Sequence, residues 1–425
     1  MIAVLRSSWP LLLGMLLLML GNGLQGSLVG VRGTGAGFSS LEMSVVMSAY
    51  FAGFLVASRV TPNMIRRVGH VRVFAALGSL VSAALLLFPT FQDPIVWILG
   101  RMLIGFCFCG VYVTAESWLN NSATNETRGQ ALSAYMMVQM AGVIVAQGLL
   151  VVPDATGYLL FVIPSVLVSV SFAPILLSIS PTPAFESTKP MTLKRLFAVS
   201  PLGFVGMFLL GSVFAAQFGM AAVYATQAGL SIKQIPLFTA AFYVGALIFQ
   251  YPLGWISDRS DRRVLIAITA AVAGVSSVLG MVFGGNFYVL LASAFMIGGL
   301  SNPLYSLLIA YTNDFLEHED MAAASAGLLF VNGVGAILGP ILIGYMMQTF
   351  GPQGYFVLLA LTLLAMAGYA FYRMTQRPAP SADDTSAYQT IMPSVSPVSV
   401  EMASEWAIET AEAEAEAEEG SERAA

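Results

Sequence analysis

Charge is what this 425-residue chain has least of. Only 10% of its side chains are Asp, Glu, Lys or Arg, and 57% are hydrophobic; a soluble domain carries about 25% charged residues. With a mean hydropathy of +0.80, the chain lacks the polar surface that a water-soluble fold needs, so it is read as a membrane protein. Cysteine is almost missing too. The two present, Cys107 and Cys109, share one apolar run. Two apart on a helix, they point about 160° away from each other and cannot bond, which excludes a disulfide scaffold. The two histidines, His70 and His318, join no Cys/His cluster, so no metal site is expected. There is no H-E-x-x-H, no G-x-S-x-G and no P-loop, which leaves enzyme chemistry and an internal ATPase without footing and no cofactor expected. Alternating apolar and polar residues are also absent, against a membrane β-barrel.

What the chain does have is long, continuous apolar runs. A helix crosses a hydrocarbon core of about 30 Å with about 20 such residues. The runs place spans at 9–30, 41–61, 71–91, 94–118, 131–152, 157–179, 202–226, 236–257, 264–284, 286–312, 322–348 and 354–373. The expected fold is an all-α membrane protein with twelve transmembrane helices in two pseudo-symmetric six-helix halves. Arg6 precedes the first run, which is too long for a signal-peptide core and is followed by eleven more, so it is taken as an uncleaved first helix. Residues 1–179 form the N-terminal half, 180–200 a cytoplasmic linker with Pro181, Pro183 and Pro190, 201–377 the C-terminal half, and 378–425 a tail.

Charge sign divides the molecule as well. Residues 1–377 hold 17 basic and 12 acidic side chains; residues 378–425 hold 11 acidic and one Arg. The tail ends in a Glu-rich repeat whose like charges meet on every helical face, so disorder is expected there and no nucleic-acid partner. One alternate set of loops and termini carries Arg6, Arg59, Arg66, Arg67, Arg72, Arg128, Lys189, Lys194, Arg195, Arg259, Arg262, Arg263, Arg373 and Arg377; the other carries Arg32 and Lys233. The positive-inside rule then puts both termini in the cytoplasm, with the protein multi-pass in the cell inner membrane.

The halves repeat. Tyr50-Phe51-Ala52-Gly53 matches Phe242-Tyr243-Val244-Gly245 at an offset of 192, and Gly105, Tyr112, Asn120 and Gly142 match Gly298, Tyr305, Asn313 and Gly335 at 193. Duplicated halves commonly place a substrate path between them, near the midplane. The polar residues inside spans are candidates to line it: Asn22, Gln25, Gln139, Gln147, Gln217, Tyr224, Gln250, Asn302, Tyr305 and Asn332, with Tyr112, Phe108 and Phe214 as aromatic neighbours. Taken singly, each also fits a role as interhelical glue.

Arg101 is the basic residue deepest in an apolar run. An intramembrane Arg costs at least about 2.5–3.5 kcal/mol, so it should face a cavity or a partner. Asn22 and Gln25 reach a similar depth and are candidate partners, though neither would neutralise it. The competing reading is snorkelling to the outer interface. Glu116 lies fifteen residues further along the same run, about 22 Å away on a helix, where Arg66, Arg67 or Arg128 is its expected partner. It reads as a gate or coupling residue or as a structural salt bridge. Glu42 and Asp314 also stand at span ends, and no acid occupies the middle of a span. That absence weakens proton coupling and leaves Arg101 to meet an anionic substrate group.

The stretch GWISDRSDRR, Gly254 to Arg263, resembles the signature loop of the major facilitator superfamily, roughly G-x-L-x-D-R-x-G-R-R. Gly254, Asp258, Arg259, Arg262 and Arg263 match, and Asp261 replaces the usual second glycine. The first-half counterpart, Pro62 to Arg72, has Pro62 for the glycine and Arg66 for the acid but keeps Gly69; positive-inside charge alone is the rival reading of both loops, and the glycine, acid and arginine spacing favours a cytoplasmic gating role for Arg66, Arg67, Gly69, Arg128, Gly254, Asp258, Arg259, Arg262 and Arg263. Arg101 with Gly105 resembles the family's span-four R-x-x-x-G, whose Arg is linked to substrate or proton coupling. ESWLN, with RGQALSAYM after it, resembles the YcaD-type branch of that superfamily. GVGAILGPILIG, Gly333 to Gly344, resembles the glycine-proline pattern that antiporters of the family carry in span five; here it stands in span eleven, and close packing around Pro340 is the preferred reading.

The resemblance implies a secondary active transporter for a small organic, amphipathic or anionic solute, working by alternating access as a monomer in lipid. Proton-coupled export is favoured. Uptake of a small metabolite stays open, as does a non-transporting sensor with a recruiting tail.

Overall fold

A computed structural model describes residues 2–122, 127–151, 158–176 and 191–376, together with Val398, which is half-buried against the apolar core. Among the described residues the protein is all-helical, as expected. Chain order gives α1 (Ile2–Gly35), α2 (Ser40–Val68), α3 (His70–Thr90), α4 (Pro94–Ser122), α5 (Arg128–Leu149), α6 (Leu159–Leu176), α7 (Leu193–Val199) and α8 (Pro201–Ala215). A π-helical turn (Ala216–Met220) leads into α9 (Ala221–Gln227). Then come α10 (Gln234–Ser257), α11 (Arg262–Val282), α12 (Phe287–Asn313), α13 (His318–Phe350) and α14 (Gly354–Met374). Ten described stretches are long and apolar enough to cross a membrane, against the twelve expected. One of them, Asp320–Met374, contains both α13 and α14, and the apolar helix at Leu159–Pro174 is shorter than the rest.

Polar side chains mark where the helices begin and end. Ser39 accepts from the Glu42 amide at 3.2 Å while the Glu42 carboxylate accepts from the Ser39 amide at 2.8 Å, a reciprocal cap that starts α2. Glu42 is thereby committed to a helix end. Gly69, at φ +84°, is the single residue between α2 and α3; this backbone is open to glycine and strained for other residues. Asp261 caps α11 by accepting from the Arg263 amide at 2.9 Å, and Asn286 caps α12 in the same way.

The expected linker 180–200 is not structureless throughout. Thr192 and Ser200 bracket α7, whose Leu196 is buried. The Met191 amide donates to the Ala323 carbonyl at 2.8 Å, and Arg195 pairs with Asp320 at 2.5 Å, so this segment is fastened to the start of α13. Residues 177–190 and the expected disordered tail, Val398 apart, lie outside the described residues.

Packing follows one scheme twice. α2 lies on α4, as α10 lies on α12; α1 packs on α5 and α6, as α8 packs on α13 and α14; α3 touches α4 and α6, as α11 touches α12 and α14. The glycines of the internal repeat sit at these crossings. A Cβ on Gly53 would strike the Met102 carbonyl, and one on Gly105 the Tyr50 carbonyl; in the later helices Gly245 meets Phe295 and Gly298 meets Phe242 in the same manner. Backbones approach this closely only where side chains are absent. Gly335 likewise faces the Phe208 carbonyl and Gly339 the backbone of Ser212, so the GVGAILGPILIG stretch lets α13 lie close on α8.

Between the two sets, α2 packs on α13, α5 on α10 and α1 on α9. Gln147 on α5 is the main polar tie: its side-chain oxygen accepts from Ser27 on α1 and Thr239 on α10, each at 2.8 Å. Ser48 donates to the Ile337 carbonyl at 2.5 Å and Ser40 to Gln227 at 2.9 Å. Large apolar side chains such as Val56, Leu99, Ile248, Val275 and Leu361 are more than half exposed on the outside, a surface suited to hydrocarbon.

Candidate functional site

Arg101 is fully buried, so it does not snorkel. Its Nη1 donates to Gln25 at 2.6 Å, the Gln25 amide donates to Asn22 at 2.9 Å, and the Asn22 amide donates to the Tyr112 hydroxyl at 2.8 Å. The Tyr112 hydroxyl in turn points at the Met19 sulfur, 3.6 Å away. Four of the expected cavity residues, Asn22, Gln25, Arg101 and Tyr112, thus form one continuous network between α1 and α4. Two residues the sequence reading did not assign complete it. Met47 offers its sulfur to Arg101 Nη2 at 3.6 Å, and the Tyr50 ring lies 4.7 Å from the guanidinium carbon. Tyr50 stood in the sequence as part of the repeat; that its ring faces Arg101 depends on the α2–α4 crossing.

A second network faces this one from the later helices. Gln217 sits in the π-helical turn, donates to Ser301 at 2.6 Å and accepts from Asn302 at 3.0 Å. Gln217 stands 192 residues after Gln25, the offset of the internal repeat. A π-turn inserts an extra residue into the helical ladder and is common at functional sites. Here it presents Phe218, whose ring contacts Tyr50 at 5.6 Å, Phe51 at 6.2 Å and Phe214 at 6.0 Å. Phe54 and Phe108 each lie about 6 Å from Tyr112. Aromatic rings from α2, α4 and the α8–α9 segment therefore pack between the two networks.

The other expected cavity residues are dispersed. Gln139 is buried with no hydrogen-bond partner on either amide atom, and the buried hydroxyls of Tyr305 and Tyr224 are also unpartnered. Tyr224 stacks on Tyr355 at 4.9 Å within a cluster that includes Phe238 and Phe356. Asn332 donates to the Met207 carbonyl at 3.1 Å, a tie between α13 and α8. Gln250 donates to Ser306 at 3.4 Å.

Glu116 is fully buried, although its position suggests a span end. It accepts from the Tyr135 hydroxyl at 3.0 Å, a neutral partner that the sequence reading did not foresee. It lies within electrostatic reach of Tyr112 on its own helix and Tyr305 on α12. Arg66 and Arg67 are exposed in the last turn of α2, and Arg128 begins α5.

The loop between α10 and α11 is a compact ionic knot. Arg262 pairs with the buried Asp314 at the end of α12, reaches Asp258 at 3.5 Å and donates to Ser257 at 3.1 Å. Arg263 pairs with Asp261 at 2.7 Å. For the Asp261 carboxyl burial works upward, but the donors of Arg263, its charge and the Val264 amide outweigh burial and hold it below the usual aspartate range. Asp261, in place of the usual glycine, supplies a helix cap and an ion pair. Arg259 lies over the Trp255 ring at 4.4 Å, and Gly254 is buried in the last turn of α10.

The family model of the Major Facilitator Superfamily matches residues 11–238 and 202–400. The MFS-type transporter YcaD of Salmonella arizonae is 25% identical over 354 residues, spanning 82% of this chain and 91% of the relative; YcaD of Salmonella typhimurium matches to the same extent. Among solved structures, the nucleoside transporter NupG superposes with a TM-score of 0.65 at 14% identity, covering 86% of this chain and 98% of the other. A bacterial homologue of the human lysosomal transporter Spinster, inward-facing and occupied, gives 0.68 at 15% identity, covering 89% and 98%. With the family's loop, its helical fold and its profile carried along most of its length, the chain belongs to the major facilitator superfamily, as a multi-pass membrane transport protein.

Proposed function

We propose that the protein is a secondary active transporter that moves a small organic solute through the space between two six-helix halves, residues 1–179 and 201–377. Twelve spans, cytoplasmic termini and an inner-membrane location complete the reading. Its family makes it a carrier and not an enzyme. The observation that carries the reading is the pair of buried polar networks built on Gln25 and Gln217, one repeat apart, with aromatic rings between them. The repeated packing scheme and the repeated glycine crossings support two halves that move as units. In alternating access such halves rock about a fixed central site. The ties through Gln147, Ser40 and Ser48 close one side, the expected outer side, and the Arg262 knot belongs to the expected cytoplasmic side.

Export coupled to protons is favoured; the coupling rests on a buried carboxylate, Glu116, which accepts from the Tyr135 hydroxyl, lies within electrostatic reach of Tyr305 in the other half and is suited to bind and release a proton as the halves separate. The test is solute movement in proteoliposomes under an imposed pH gradient. Accumulation against the direction of proton flow supports antiport, and accumulation with it supports uptake. A reconstituted, folded protein that moves no solute, and whose deletion of 378–425 abolishes a cellular response, would favour a sensor.

A further inference from the structure

We infer that Arg101 is the receptor for the carboxylate of an organic acid with a flat, aromatic body. The inference rests on the transport reading for access to the site, and on the hydrogen-bond balance around Arg101 for the chemistry. The network meets Arg101 with neutral acceptors alone. Gln25 Oε1 is taken by Arg101, Asn22 Oδ1 by Gln25, and the Tyr112 oxygen by Asn22. Arg101 Nη2 reaches the Met47 sulfur at 3.6 Å, a weak acceptor, and the Tyr112 hydroxyl has the Met19 sulfur at 3.6 Å and the Tyr50 hydroxyl beside it. Arg101 Nε is buried with no partner. Among the described residues no carboxylate pairs with the guanidinium, and its neighbours Gln25, Met47 and Tyr50 are neutral. Helix rise sets Glu116 about 22 Å further along α4.

A fully buried cation with an unpartnered Nε and neutral neighbours is complementary to one kind of group. A carboxylate brings two acceptor oxygens in the plane of the guanidinium fork and neutralises the charge. An amine or an uncharged amide does neither, and the Arg101 charge repels the amine. The walls select the rest of the ligand. The Tyr50 ring lies over the guanidinium and touches Phe54 and Phe218, Phe54 touches Tyr112, and Phe218 is carried by the π-helical turn, the irregular part of its helix. An apolar plane stacks on such rings; a polyol would leave its hydroxyls unpaired.

The test uses the purified full chain in lipid nanodiscs with matched probes: phenylacetate against phenylacetamide, 1-naphthoate against 1-naphthamide, oleate against oleamide, and phenethylamine. Binding is read by calorimetry. We expect at least one aryl acid to bind tenfold or more tightly than its amide, and phenethylamine not to bind. In Arg101→Gln that preference should fall to within twofold, while Arg101→Lys keeps part of it. If no acid outbinds its amide in the unaltered protein, the anion site is overturned without recourse to any variant. A preference that survives Arg101→Gln overturns the role of Arg101, and oleate outbinding every aryl acid overturns the aromatic body and points to a lipid acid. Proteoliposome transport separates this inference from the broader reading. Arg101-dependent acid binding with no solute ever moved sinks transport alone; movement of a neutral solute with no acid preference sinks the anion site alone.

Discussion

At Arg101 a single residue collects most of the chemical meaning of the chain. Its depth in the apolar run and the matching depth of Gln25 were both legible in the sequence, because helix rise alone fixes depth. Tyr50 and Met47 were not, since which residues of α2 face α4 depends on the crossing that Gly53 and Gly105 permit. Arg101→Ala is expected to lower turnover in proteoliposomes at least tenfold with unchanged membrane insertion; normal turnover would return Arg101 to a structural role. Glu116 shows the opposite lesson. Its place near the end of an apolar run suggested a span end, yet the structure buries it fully and adds the Tyr135 hydroxyl as a partner. Glu116→Gln is expected to abolish accumulation driven by a pH gradient while leaving solute exchange down its own gradient within about threefold. Equal loss of both would make Glu116 a packing residue.

The helices themselves were legible to within a few residues where apolar runs end in caps. The spans expected at 94–118 and 264–284 fall on α4 at Pro94–Ser122 and α11 at Arg262–Val282. The π-helical turn at Ala216–Met220 was not, because its extra residue leaves no mark in hydropathy. Nor was α7, hidden in a proline-bearing stretch and fastened to α13 by contacts distant in sequence. Two predictions belong at this scale. The Arg262 side chain is buried against Asp314, whereas Asp258 is partly exposed and 3.5 Å away. Removing one partner of a buried ion pair costs about 3–5 kcal/mol, and an exposed pair is worth about 0–1 kcal/mol. Asp314→Asn should therefore lower the melting temperature in detergent well beyond Asp258→Asn. The second prediction concerns the crossings. Gly53→Ala and Gly245→Ala each press a methyl group onto a carbonyl of the neighbouring helix, and overpacking of this kind costs about 1–3 kcal/mol. Both should lower the melting temperature by similar amounts; tolerance of one and loss at the other would argue against equivalent crossings.

For the whole molecule, composition alone was enough to reach a membrane protein, and the internal offset of 192 to 193 pointed to duplication. How the halves meet lies beyond any pattern of hydropathy. The contact of α2 with α13 and of α5 with α10 joins side chains as ordinary as Ser48, Gln147 and Thr239 to groups 289 and 92 positions away. The central claim is that the halves rock, opening one side as they close the other. It is tested most directly by paired spin-label distances in nanodiscs, one pair at Ala36 and Ala228 beside the Ser40–Gln227 tie, the other at Arg67 and Glu317 at the opposite ends of α2 and α13. A change of pH or addition of a transported solute should lengthen the first distance and shorten the second in the same fraction of molecules. Two distances that stay fixed while solute crosses, or that lengthen together, would contradict the account.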